Sequence, residues 1–204
     1  MKIIKIENQG LKDNLNEARN ILRHGGIILY PTDTIYGLGV DAFNEEAIKR
    51  LYKLKKRPLN KPISICLHDT KWIGKVAYLN PKIEKIIDKI LPGPFTIILK
   101  KKNTIPPILT GDSEKIGIRI PDNIISRELA KEFPITTTSA NISGMKTHNT
   151  IKDILRQIGK VDLALDAGPL KKREPSTVID LTREPPKILR KGAGIKKIRK
   201  GLGI

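Results

Sequence analysis

Chemistry-capable residues gather in four stretches of this chain. The first is Pro31-Thr32-Asp33-Thr34-Ile35-Tyr36-Gly37-Leu38-Gly39, which follows an apolar run from Gly26 to Tyr30. Two hydroxyls, a carboxylate, a phenol and two glycines fall at what reads as a strand end, where α/β sheets hold ligands. It is not a phosphate loop of the Gly-Lys-Ser/Thr type. The second stretch is a helix over 44–56 and its exit, Lys55-Lys56-Arg57-Pro58, with Lys61 beyond. Ile48, Leu51 and Tyr52 form an apolar stripe, and Lys55 falls on that stripe one turn past Leu51. Seven Lys/Arg and no acid lie between Ala47 and His68, so nothing nearby in the chain neutralises Lys55 or Arg57. An inward unpaired cation is costly, and an anion such as a nucleotide's phosphates would offset that cost. Lysine would meet phosphate as a point charge and arginine bidentately. The competing reading is a solvated last helical turn, with Lys55 snorkelling to water.

In the third stretch, Gly117-Ile118-Arg119-Ile120-Pro121, alternation puts Ile116, Ile118 and Ile120 on one face and Arg119 on the other. Arg119 then faces either solvent or a carboxylate. The fourth, Thr136-Thr137-Thr138-Ser139-Ala140-Asn141-Ile142-Ser143-Gly144, is a β-branched run entering a small polar loop. Ser139 and Asn141 share a face if the strand persists, where they would orient a polar ligand without adding charge. Cys66 shares a face with Ser64 and reads as a small core residue.

The elements that must position these residues alternate. Strands are predicted at 2–6, 26–30, 62–67, 94–100, 116–120, 135–139, 161–165, 176–181 and 186–190. Helices are predicted at 11–23, 44–56, 81–90, 123–132 and 150–158. That alternation is an α/β signature, with a mixed sheet because strands crowd the final third. One domain spans 1–190, and 191–204 reads as a basic tail, either frayed or touching nucleic acid.

Bulk composition bounds the function class. The chain has 204 residues, 39 Lys+Arg against 21 Asp+Glu, and a net charge of +18. Such a field attracts polyanions, and a thermophile's ion-pair surface would balance the signs better. One cysteine excludes an intrachain disulfide, and the three histidines show no metal-ligand spacing. No run is long enough to cross a bilayer and no secretory signal is read, so a cytoplasmic location is expected.

Taken together, Pro31 to Leu38, Lys55-Lys56-Arg57, Ser139-Ala140-Asn141, Pro175-Ser176-Thr177-Val178-Ile179-Asp180 and Ile188-Leu189-Arg190-Lys191-Gly192 resemble the YrdC-like family, the L-threonylcarbamoyladenylate synthases. The pieces stand in the family's order from about Gly25 to Arg190. The resemblance implies a twisted mixed sheet flanked by helices, with a basic concave cavity. It implies a nucleotidyltransferase that condenses L-threonine, bicarbonate and ATP to threonylcarbamoyl-AMP and pyrophosphate, with Mg²⁺ accompanying ATP. A threonylcarbamoyl transferase partner would then modify the adenosine beside the anticodon of tRNA to N6-threonylcarbamoyladenosine.

By the same resemblance Lys55 and Arg57 would be catalytic. Lys55, Arg57, Lys61, Asn141 and Arg190 would hold ATP, and Thr34, Arg119, Ser139 and Ser176 would hold threonine. No metal-ligating residue is assigned. The family often carries histidine where Cys66 stands, which leaves a threonine contact there open. The chain resembles the short form that lacks an appended second domain. Two other readings remain. A non-catalytic module binding tRNA or double-stranded RNA fits the charge, but aromatics are only 4%, few for stacking bases. A hydrogenase-maturation carbamoyl-adenylate maker would carry a zinc-finger region, and no Cys-x-x-Cys is present.

Overall fold

The computed structural model describes residues 1–6, 10–171 and 174–202. Four helices start where a side chain caps them. In α2 (Glu45–Leu54) Asn44 accepts the N–H of Ala47, and Glu45 and Glu46 sit at the positive end of the dipole. Asn80 caps α4 (Pro81–Ile90), Asn123 caps α6 (Ile124–Leu129) and Thr150 caps α7 (Ile151–Ile158) in the same way. In α1 (Leu11–Arg23), Leu15, Ala18 and Leu22 form the buried stripe. Two four-residue helices were not predicted, α3 (Ile73–Val76) and α5 (Pro107–Thr110). They are too short to show a helical period.

Ten strands form one mixed sheet among the described residues. They are β1 (Lys2–Lys5), β2 (Ile28–Tyr30), β3 (Gly37–Gly39), β4 (Ser64–Cys66), β5 (Phe95–Lys100), β6 (Lys115–Arg119), β7 (Ile135–Ser139), β8 (Leu163–Asp166), β9 (Thr177–Asp180) and β10 (Lys187–Arg190). Their spatial order is β1-β8-β2-β3-β7-β4-β6-β5-β9-β10. The pairs β1/β8, β8/β2, β4/β6 and β5/β9 are parallel, and the rest antiparallel. Antiparallel pairing thus reaches the middle of the sheet as well as the C-terminal strands.

β3 was not predicted. Its Gly-Leu-Gly composition hides a strand, because Gly39 has Tyr30 against it: a Cβ there would sit 2.9 Å from the Tyr30 ring.

Strand alternation divides the interior into two layers. Ile28 and Tyr30 of β2, Cys66 of β4 and Ile135 of β7 pack with α1 and α6. The opposite face carries Leu29, Ile65, Phe95, Ile97, Leu99, Ile116, Ile118 and Ile179, covered by α2, α4 and α7. Among the described residues, none of β5, β6 or β9 belongs to the cluster packed with α1 and α6. There the residues of the other parity, Thr96, Ile98, Lys115, Gly117, Arg119, Ser176, Val178 and Asp180, line a cavity. The open half of that face is where the site forms.

The segment expected to be a tail folds back. Gly192 N–H donates to Thr177 Oγ1 at 3.1 Å, and Ala193 N–H to Pro175 O at 2.9 Å. A helix, α8 (Ile195–Leu202), then packs on α4 with Ile198 fully buried. Gly194, with φ of 79°, turns the chain into this helix. Residues 203 and 204 lie outside the described residues. No described helix is long and apolar enough to cross a membrane.

Candidate functional site

The Thr32 turn sets the first wall. Thr32 Oγ1 accepts the N–H groups of Thr34 and Ile35 at 3.1 and 3.3 Å and donates to Ile35 O at 2.7 Å. This local turn presents Asp33 and Thr34 to the end of β6. Asp33 Oδ1 accepts from Arg119 Nη2 at 2.7 Å, Thr34 Oγ1 lies 3.2 Å from the same nitrogen, and Asp33 Oδ2 accepts the N–H of Asp122 at 3.1 Å. Both charged side chains are buried, 9% and 6% exposed. Of the two fates open to Arg119, solvent or a carboxylate, the structure assigns a carboxylate of its own chain. Arg119 Nε is also buried, and among the described residues it has no hydrogen-bond partner.

The second wall is the exit of α2. Lys55 lies on the apolar stripe and is 1% exposed. Its Nζ donates to Ser139 O at 2.5 Å and Asn141 O at 2.7 Å. Burial, then the neighbouring Arg57 charge, pull its pKa down to about 7. Arg57 donates from Nε to Lys61 O at 3.1 Å and from Nη2 to Pro62 O at 2.9 Å, with Nη1 3.4 Å from Ser143 Oγ. Burial lowers its pKa as well.

The third wall joins β9 and β10. Arg190 donates from Nε and Nη2 to Ser176 O at 3.1 and 2.9 Å, and from Nη2 to Ser176 Oγ at 3.1 Å. Ser176 Oγ is 2.8 Å from Thr96 Oγ1. Burial, and then the Arg119 charge, lower the Arg190 pKa. Arg119 and Arg190 therefore sense each other across the same space.

These walls enclose a cavity of about 540 Å³. Thr34, Arg57, Arg119, Ser139, Ser176 and Arg190 line it; Lys55, Lys61 and Asn141 are not among its lining residues. The bonds described for Arg57 and Arg190 go to carbonyl and hydroxyl oxygens, which orient a guanidinium without cancelling its charge. Asp33 neutralises Arg119, and Asp180 pairs with Lys115 at 3.0 Å. The remaining positive charge suits an anion.

Residues 20–192 match the family model named Sua5_yciO_yrdC, described as "Telomere recombination". The chain belongs to this family. A Methanocaldococcus jannaschii protein that provisionally bears the name threonylcarbamoyl-AMP synthase is 44% identical over 98% of this chain and 95% of its own length. The crystal structure of Pyrococcus abyssi Sua5 complexed with L-threonine is similar with a TM-score of 0.94 at 32% identity. It is matched by 100% of this chain, which covers 61% of that one. Escherichia coli YciO is similar with a TM-score of 0.85 at 30% identity, over 97% of this chain and 98% of that one.

Two features of the site were not read from motif spacing. Asn141 does not share a face with Ser139, because β7 ends at Ser139 and the chain turns. Ser139 Oγ donates to Asn141 Oδ1 at 2.6 Å, and Asn141 Nδ2 to Met145 O at 2.6 Å. Lys115, Asp180 and Thr96 were missed, although Lys115 shares the parity of Arg119 on β6 and could have been read from it.

Cys66 is fully buried beneath α6, with Sγ 3.6 Å from Ser126 O. Burial pushes its thiol up to about 12, so it packs as a neutral core residue and does not line the cavity. Among the described residues no group of three or more His, Cys, Asp or Glu side chains could hold a metal ion.

Proposed function

We propose that the protein is an L-threonylcarbamoyladenylate synthase, a nucleotidyltransferase. The observation that carries this reading is the cavity itself: two arginines held by neutral oxygens and a third, Arg119, with a buried donor unfilled. An unsatisfied buried donor costs on the order of 1–3 kcal/mol, and a ligand carboxylate on Arg119 Nε would offset it. Threonine supplies that carboxylate, with its hydroxyl toward Thr34, Ser139 and Ser176. The threonine bound in P. abyssi Sua5 supports this assignment.

The reaction joins two anions. The threonine amine takes up bicarbonate and loses water to give a carbamate. A carbamate oxygen then forms a bond to the α-phosphorus of ATP, the bond from that phosphorus to the bridging oxygen breaks, and pyrophosphate leaves. The nucleophile is already anionic, so no general base is required. Catalysis then reduces to positioning and charge screening. Arg57 and Arg190 would screen the phosphates, with Lys61, Lys55 and Asn141 behind or beside them. Among the described residues no side chains form a cage for a resident cation, and Mg²⁺ would arrive on the ATP phosphates. The product would pass to a threonylcarbamoyl transferase acting on tRNA.

The test is pyrophosphate release from ATP by the purified protein. Release should require threonine and bicarbonate together. Release unchanged when threonine is omitted would refute the reading, and RNA binding without any release would leave a non-catalytic module.

A further inference from the structure

We propose that Lys55 is a positioning residue that holds the Ser139–Asn141 turn in the shape presenting Ser139 to the cavity, and that it acts through this turn and not by touching phosphate. For its kinetic consequences, this rests on the synthase reading above.

Three bonds tie the end of α2 to that turn. Lys55 Nζ donates to Ser139 O at 2.5 Å and to Asn141 O at 2.7 Å, and Lys55 O accepts the N–H of Ser143 at 2.8 Å. An ammonium has three protons, and two are committed to these carbonyls. The side chain is 1% exposed and is not among the cavity's lining residues. Arg57, two residues on, does line it.

The turn needs such a tie. β7 ends at Ser139, so the carbonyls beyond it leave the sheet ladder, and buried carbonyls need donors. Asn141 N–H supplies one to Ser139 O at 2.9 Å, and Lys55 supplies the rest. The held turn in turn orders side chains. Ser139 Oγ bonds Asn141 Oδ1 at 2.6 Å, and Asn141 Nδ2 bonds Met145 O at 2.6 Å. Without the ammonium, the Ser139 and Asn141 carbonyls would rotate in search of donors and carry Ser139 Oγ off the cavity wall.

The experiment is Lys55→Met, which keeps the chain's bulk and removes the donors. Amide hydrogen exchange at Asn141 and Ser143 should quicken about tenfold, the size of one lost hydrogen bond, while Leu51 and Ile65 exchange as before. The KM for threonine should rise about tenfold and that for ATP by less than about threefold. A rise confined to the ATP KM would make Lys55 a phosphate ligand and overturn the proposal. So would a lower melting temperature with turn exchange and threonine KM unchanged.

If the variant does not fold, the wild type decides. With a saturating non-hydrolysable ATP analogue, the ¹⁵Nζ resonance of Lys55 should show no coupling to ³¹P, and a coupling would overturn the proposal. Failure of threonine-dependent pyrophosphate release in the wild type would remove the synthase reading, yet the exchange data would still decide what Lys55 does to the turn.

Discussion

Arg119 and Arg57 line one cavity, and each is held differently. Arg119 is clamped by a buried carboxylate, Asp33, at 2.7 Å. Arg57 is clamped by the carbonyls of Lys61 and Pro62 at 3.1 and 2.9 Å. A carboxylate fixes a guanidinium and cancels its charge, so what Arg119 retains is direction and an unfilled Nε. Carbonyls fix direction and leave the full charge. The Arg119 wall is therefore suited to one small carboxylate, and the Arg57 wall to a polyanion such as triphosphate.

The largest effect should come from breaking the clamp that is an ion pair. Arg119→Leu removes the ion-pair partner of the buried Asp33 carboxylate, which costs about 3–5 kcal/mol when a buried pair loses one partner. Urea unfolding should show that loss, and threonine-dependent turnover should fall by more than about 100-fold. Full stability would mean that Asp33 is not held by Arg119.

Arg57→Ala should separate the walls. It removes charge-assisted bonds worth about 1.5–3 kcal/mol to an anionic ligand, so kcat/KM for ATP should drop about 10- to 150-fold. Threonine affinity measured without ATP should stay within about twofold of wild type. Equal losses for both ligands in calorimetry would dissolve the comparison.

Ser176→Ala sharpens it further. The hydroxyl bridges Thr96 and Arg190, and a neutral hydrogen bond is worth about 0.5–1.5 kcal/mol. Steady-state assays should show a threonine KM raised about two- to tenfold with thermal stability nearly intact.

The smallest effect is a slope. Lys55 has a folded pKa of about 7, below the ordinary 10.5. Between those values the unfolded chain binds a proton that the folded chain lacks, so Lys55 makes stability rise with pH there and fall as pH drops through 7. Urea midpoints for wild type minus Lys55→Met, taken from pH 6 to 9, should increase with pH. A flat difference would mean the carbonyls hold the lysine protonated throughout.

Much of this was legible in the chain because the information is local. Strand period two put Arg119 opposite Ile118 and Ile120. Helix period 3.6 put Lys55 on the apolar stripe one turn past Leu51, and burial in the structure chose the inward reading over the snorkelling one. Asn44, Asn80, Asn123 and Thr150 mark helix starts through their own side chains. The motif order was enough to identify the family.

What each inward side chain meets was not local. Asp33 and Arg119 are 86 residues apart, and Lys55 is 84 and 86 from the carbonyls it holds. Period tells which face a residue occupies, but its partner depends on which strands become neighbours. The β-β pairings Gly37↔Ser139 and Cys66↔Arg119 bring those segments together. The same adjacency turned Gly37–Gly39 into a strand and left one half of a sheet face uncovered as the cavity. Sequence determined which face Lys55 and Arg119 each occupy; only the assembled sheet decided that Lys55 meets the Ser139 and Asn141 carbonyls, while Arg119 meets the Asp33 carboxylate, because those partners lie far from them in the chain.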